Sequence, residues 1–147
     1  MSSVPDASDA TMLGRRTDGT PVRRPLSPHL QVYDMMQMTS AISISHRATG
    51  IAWTAGAVLM VWWLVAAASG PEAFDRVQWF LGSFVGILML MGVTAAAWFH
   101  TLAGVRHLFW DAGYGYDIPT TYKSGRAVLI GTAVLTALTW LALLISW

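Results

Sequence analysis

Four residues in one apolar stretch, 95–113 (AAAWFHTLAGVRHLFWDAG), have types and spacing that could do chemistry. His100, Gly104, His107 and Asp111 are related as i, i+4, i+7 and i+11, so an α-helix lines them along a single face. An ionisable residue deep in a membrane helix is expensive and by default faces a bundle interior with a partner. His100 is therefore a candidate functional residue, with a histidine simply bonded to a neighbouring helix as the equal alternative. A second group lies at 43–50 (SISHRATG), where Ser43 and Arg47 are one turn apart and His46 stands beside them. A hydroxyl and a guanidinium converging there could bond a quinone carbonyl and stabilise the charge that develops on its reduction. His46 could deliver a proton or meet an acidic group, and a serine-rich helix start with a snorkelling arginine fits the same residues.

The elements that must hold these residues are legible in the hydropathy. The chain has 147 residues, 54% hydrophobic, with eight Trp, no Cys and a net charge of +1. Three long apolar stretches predict spans at about 41–68, 79–109 and 127–147. The fold class expected is all-α: a three-helix transmembrane bundle over 24–147 with a polar N-terminal arm at 1–23. The arm has no apolar periodicity and reads as disordered or extended, and its interspersed aspartates fit an unprocessed bacterial N-terminus better than a transit peptide. The prolines of RPLSPHLQVY (24–33) predict an extended segment, DMMQMTS (34–40) a short interfacial helix capped at Thr39 or Ser40, and SGPEAFDR (69–76) a turn. The third span has no ionisable residue and reads as structural. All basic residues but Arg76 fall on one side, so the positive-inside rule predicts a cytoplasmic N-terminus.

Composition also excludes functions. Without cysteine there is no disulfide framework, thiolate metal site, iron–sulfur ligation or covalently attached haem. The dispersed basic residues give no nucleic-acid footprint, and no Walker loop, H-E-x-x-H or nucleophile elbow is present.

Depth adds a constraint. His100 is seven residues inside His107, about 10 Å along a helix axis. That separation suits a haem standing edge-on, with its iron at His100 and its propionates near His107 and the cations of the first span. Gly104 would give a flat macrocycle room against the helix. A low-spin haem takes two axial ligands, whereas His29 and His46 lie outside or at the surface and the third span has no histidine. This chain can supply half of a bis-histidine site at most.

The motifs RPLSPHLQVY, SISHRATG and HTLAGVRHLFWDAG together resemble those of the cytochrome b556 membrane-anchor subunits of succinate dehydrogenase, respiratory Complex II. The resemblance covers residue 24 to the C-terminus, in the proteobacterial and mitochondrial branch. It implies that His100 is an axial ligand of haem b, with the second ligand from the other small anchor subunit. It also implies that Ser43 and Arg47 line the ubiquinone site, that His46, Arg47 and His107 lie near the haem propionates, and that Asp111 supports the quinone pocket. The partners implied are a second small anchor, an iron–sulfur subunit, a flavoprotein and membrane lipid, in a bacterial cytoplasmic membrane. Alone, such a chain catalyses nothing. Two other readings are a haem-free scaffold and a small transporter or channel subunit using His100 and Arg47. Against the channel, the ionisable residues cluster at one interface.

Overall fold

A computed structural model describes residues 11–25 and 34–146. It contains a β-hairpin and four helices: β1 (Thr11–Arg15), β2 (Pro21–Pro25), α1 (Met38–Ser69), α2 (Pro71–Leu81), α3 (Phe84–Asp111) and α4 (Ile118–Ser146). Helices α1, α3 and α4 are long and apolar enough to cross a membrane, which makes this an all-α integral membrane protein in three spans.

The N-terminal hairpin belongs to the first of two units, Met1–Ala41. Where the sequence predicted no regular structure, β1 and β2 pair antiparallel, Thr11 opposite Pro25 and Arg15 opposite Pro21. The cause is local turn chemistry. Asp18 Oδ1 accepts from Thr20 N at 2.9 Å and Thr20 Oγ1 at 2.7 Å, Gly19 adopts φ 84°, and Arg16 N donates to Thr20 O at 2.9 Å. The same bonds from Thr20 hold the Asp18 carboxyl below its ordinary pKa. The predicted extended path of 26–33, with His29, lies outside the described residues.

In the span helices, several hydroxyls are hidden by bonding back to the preceding turn, although Thr136 Oγ1 is buried without a partner. Thr49 bonds Ser45 O at 2.8 Å, Thr94 bonds Leu90 O at 2.7 Å and Thr132 bonds Val128 O at 2.7 Å. A donor that water cannot reach is thereby satisfied without leaving its own helix. Four boundaries differ from those predicted, one being the second span, which opens at Phe84 rather than 79 because 79–81 belong to helix α2 and Ser83 caps the span. Residues 34–37 form a turn in which Asp34 Oδ1 accepts from Met36 N at 2.9 Å. The separate interfacial helix is absent there: α1 starts at Met38, and its first bond runs from Ala41 N to Gln37 O at 2.9 Å, ahead of Thr39 and Ser40.

The expected turn at 69–76 is mostly helix α2. Pro71 begins it where a missing N–H costs nothing, and Val77, 2% exposed, anchors it. Trp63 ties α2 to the end of α1 by an indole bond to Gln78 Oε1 at 3.1 Å and a ring contact with Phe74 at 5.6 Å. With charged Glu72, Asp75 and Arg76 on the same short helix, α2 is the interfacial helix of the fold, placed between the first two spans. Ser83 then caps α3, accepting from Gly86 N at 3.2 Å. Gly86 is obligatory: a Cβ there would overlap Phe80 O and lie 2.6 Å from Leu81 O.

The third span begins nine residues before the predicted 127, because Asp117 caps it through a bond from Thr120 N at 2.9 Å. Spans α3 and α4 are joined by Trp98 Nε1 donating to Thr139 Oγ1 at 3.0 Å and Arg106 Nε donating to Ser124 Oγ at 2.9 Å. That register is antiparallel. Spans α1 and α3 are antiparallel too, with Gly50 against His100 and Gly56 against Val93.

A histidine cluster between the first two spans

Each of the two facing helices sets a histidine against a glycine of the other. On α1, His46 and Gly50 are one turn apart, and on α3 so are His100 and Gly104. His46 lies over Gly104, where a Cβ would be 4.0 Å from its Nε2, and His100 lies over Gly50, where a Cβ would be 3.0 Å from its Cε1. Side-chain-free positions thus let two imidazoles occupy the narrow seam between helices. The room expected at Gly104 for a macrocycle is taken by His46.

Three imidazoles result in one stack. The His46 ring stands between the other two, 4.2 Å from His100 and 5.0 Å from His107 by centroid, with interplanar angles of 25° and 20°. Trp53, a further two turns along α1 from His46, meets His100 edge-on at 5.5 Å. The rings are stacked rather than aimed at one point, and no group of three His, Cys, Asp or Glu among the described residues could hold a metal ion.

Hydrogen bonds fix the tautomers. His100 Nδ1 is 3.0 Å from the backbone oxygen of His46, and His107 Nδ1 is 2.8 Å from that of Ala103. A carbonyl only accepts, so each Nδ1 carries a proton, and in the neutral ring the lone pair is then on Nε2. That is the state in which an imidazole ligates iron, oriented by its second nitrogen. His46 Nε2, in contrast, is buried without any hydrogen-bond partner. An orphaned polar atom beside a ligand-ready imidazole fits residence of a further group against this face.

The predicted site residues are only partly brought together. His46, His100 and His107 form the stack. Ser43 and Arg47 stand at the start of α1, half-buried and exposed respectively, with no hydrogen bond to the stack among the described residues. Asp111 is the exposed last residue of α3, also without such a bond. Two cavities lie elsewhere: one of about 420 Å³ between the adjoining ends of α3 and α4, and one of about 710 Å³ walled by α1, α2, α3 and α4. Neither is lined by His100, Ser43 or Arg47.

Three further residues belong to these seams. Trp53 carries a signal, since it continues the i, i+4, i+7 row of His46 and Gly50. Gly50 carries no polar group to mark it in the sequence, and the structure gives it a particular neighbour, His100. Arg106 reads in the sequence as an ordinary cation at a helix end, yet it is 6% exposed. Its position four residues after Leu102 and eight after Trp98, both on the α4-facing side, was the available clue.

Fold and site together define a small membrane subunit: three spans, no cysteine, and a ligand-ready histidine between the first two. Residues 20–139 match the family model described as succinate dehydrogenase/fumarate reductase transmembrane subunit, and the chain belongs to that family. It is 50% identical over 116 residues to the succinate dehydrogenase cytochrome b556 subunit of Paracoccus denitrificans, covering 79% of this chain and 88% of that one. The corresponding subunit of Rickettsia conorii is 37% identical over 119 residues, covering 80% and 91%. The mitochondrial succinate dehydrogenase cytochrome b560 subunit of Bos taurus is 38% identical over 120 residues, covering 78% and 69%.

Proposed function

We propose that this chain is the cytochrome b membrane anchor of a succinate:ubiquinone oxidoreductase, supplying one axial ligand of haem b and part of the quinone-reduction site. The observation that carries the reading is the bond from His100 Nδ1 to the His46 carbonyl at 3.0 Å, which leaves Nε2 as a free, oriented ligand. The other iron ligand would be supplied by a second small anchor subunit. His46, Arg47 and His107 would hold the propionates, and the buried His46 Nε2 is a polar atom that this chain alone leaves without a partner. A bound haem b would supply one-electron storage near the quinone or a structural clamp between the two anchors.

Succinate is oxidised at the flavin of a flavoprotein partner, and electrons reach ubiquinone through an iron–sulfur subunit. At the start of α1, the Ser43 hydroxyl donates to a quinone carbonyl while the Arg47 guanidinium stabilises negative charge on the oxygen. Ubiquinone takes two electrons and two protons, so its site needs water as well as clusters, and the first turns of a span provide access to both. Asp111, exposed at the same end of the bundle, supports the pocket. The positive-inside bias places this end in the cytoplasm of a bacterium, against the soluble partners.

The decisive experiment is His100→Leu in the purified complex. Loss of the low-spin b-type absorbance with the partner subunits still present is expected. An unchanged spectrum would overturn the ligand assignment, and a wild-type complex without that absorbance would favour the haem-free scaffold.

A further inference from the structure

Arg106 is buried on the side of α3 turned away from the histidine stack. Its Nε donates to Ser124 Oγ at 2.9 Å, its Nη2 donates to Thr121 O at 3.1 Å, and its Cζ lies 3.9 Å over the Trp110 ring. All of these partners are neutral. No carboxylate among the described residues pairs with the guanidinium, and Nη1 makes no hydrogen bond to them. A cation withdrawn from water in this way is costly unless an anion completes it.

Beside it opens the cavity of about 420 Å³, which Arg106 itself lines. The other walls are mostly apolar, including Leu102, Val105, Phe109 and Val128. Such walls offer nothing to a hydrated inorganic anion, and a carboxylate from a neighbouring protein would leave the apolar space unfilled. One charge on an apolar cleft matches an amphiphile. The depth agrees: α3 has 28 residues, about 42 Å, against roughly 30 Å of hydrocarbon core, so both its ends enter the headgroup layer. Arg106 is five residues from the end at Asp111, about 7 Å inside it and close to the headgroup boundary. Exposed Tyr114 and Tyr116 mark the same level, and exposed Lys123 and Arg126 add positive potential.

We propose that this cleft holds one membrane glycerophospholipid, its phosphodiester paired with Arg106 Nη1 and an acyl chain lying along the α3–α4 wall. The bonds to Ser124 and Thr121 keep the guanidinium turned toward the cleft, and Trp110 shields it.

The test compares the purified complex with its Arg106→Gln, Arg106→Lys and Ala127→Phe variants, Ala127 being an exposed cleft residue that makes no bond to Arg106 and at which a larger ring takes up cleft space. Native mass spectrometry after delipidation should find one phospholipid retained by the wild type and lost from Gln and Phe. Phosphatidylglycerol in added vesicles should rebind to those two at least tenfold more weakly, with Lys intermediate. Equal retention in wild type and Ala127→Phe would overturn the proposal, as would a retained fatty acid in place of a phospholipid. Inorganic phosphate displacing the bound molecule would overturn it too, by making this a free-anion site. Should Arg106→Gln fail to assemble, Ala127→Phe decides.

Discussion

Toward α4, Trp98 and Arg106 of α3 end on hydroxyls and a carbonyl, whereas toward α1 the His100 and His46 rings meet with nitrogens left over. Both seams are antiparallel helix pairs of similar length, so helix geometry alone does not separate them. The difference is what each seam does with its polar atoms. Side chains that bond one another across a seam lock a register, while oriented side chains with spare lone pairs hold something else. The first seam is bonded across at Trp98 and Arg106, although Thr136 Oγ1 and Trp140 Nε1 of α4 stay unpaired, whereas the second sets imidazoles ring against ring.

That contrast breaks most sharply at the two glycines. Gly50→Val pushes into the His100 imidazole, which already lies within 3.0 Å of a Cβ, and should abolish the b-type spectrum. Gly104→Ala makes only an ordinary 4.0 Å contact with His46 and should keep it. Equal spectra from both variants would mean that the His100 position is not what holds the haem. Next come Ser43→Ala and Arg47→Ala, each removing a bond to a developing charge worth about 1.5–3 kcal/mol, or roughly 10- to 100-fold in quinone reduction. Succinate oxidation with an artificial acceptor should persist. Equal loss of both activities would indicate failed assembly instead.

On the α4 side, Thr139→Val removes the acceptor of Trp98 and should destabilise the complex by about 1 kcal/mol, read as a lowered melting temperature with an unchanged haem spectrum. The smallest effect belongs to Asp117, whose carboxylate is held below its ordinary pKa by the backbone N–H of Thr120 and then by the Thr120 hydroxyl. A depressed folded pKa means that its contribution is full above the unfolded value and is lost as pH falls through the folded one. Asp117→Asn should therefore lower the melting temperature slightly at neutral pH and converge with the wild type below about pH 4, flattening the acid limb of the profile.

Much of this was legible one-dimensionally. Apolar length marks three spans, and the 3.6-residue repeat puts His100 and His107 on one face and His46 near Arg47. Short-range signals were easier to misjudge. Pro71 and the amphipathic residues after it make α2 a helix where Gly-Pro suggested a turn, Asp117 starts α4 early, and Asp18–Gly19 folds a hairpin in a polar arm. Each turns on one cap or one φ angle, which composition averages away.

Sequence by itself determined the kind of molecule and the faces of its helices, because hydropathy and periodicity are properties of a single strand of residues. Only the tertiary structure decided which atoms remain unpaired: that His100 gives Nδ1 to the His46 carbonyl, that His46 Nε2 has no partner, and that Arg106 is buried without a counter-charge. Those facts depend on the register of one helix against another, and a pairing between residues 54 positions apart leaves no periodic trace in the chain.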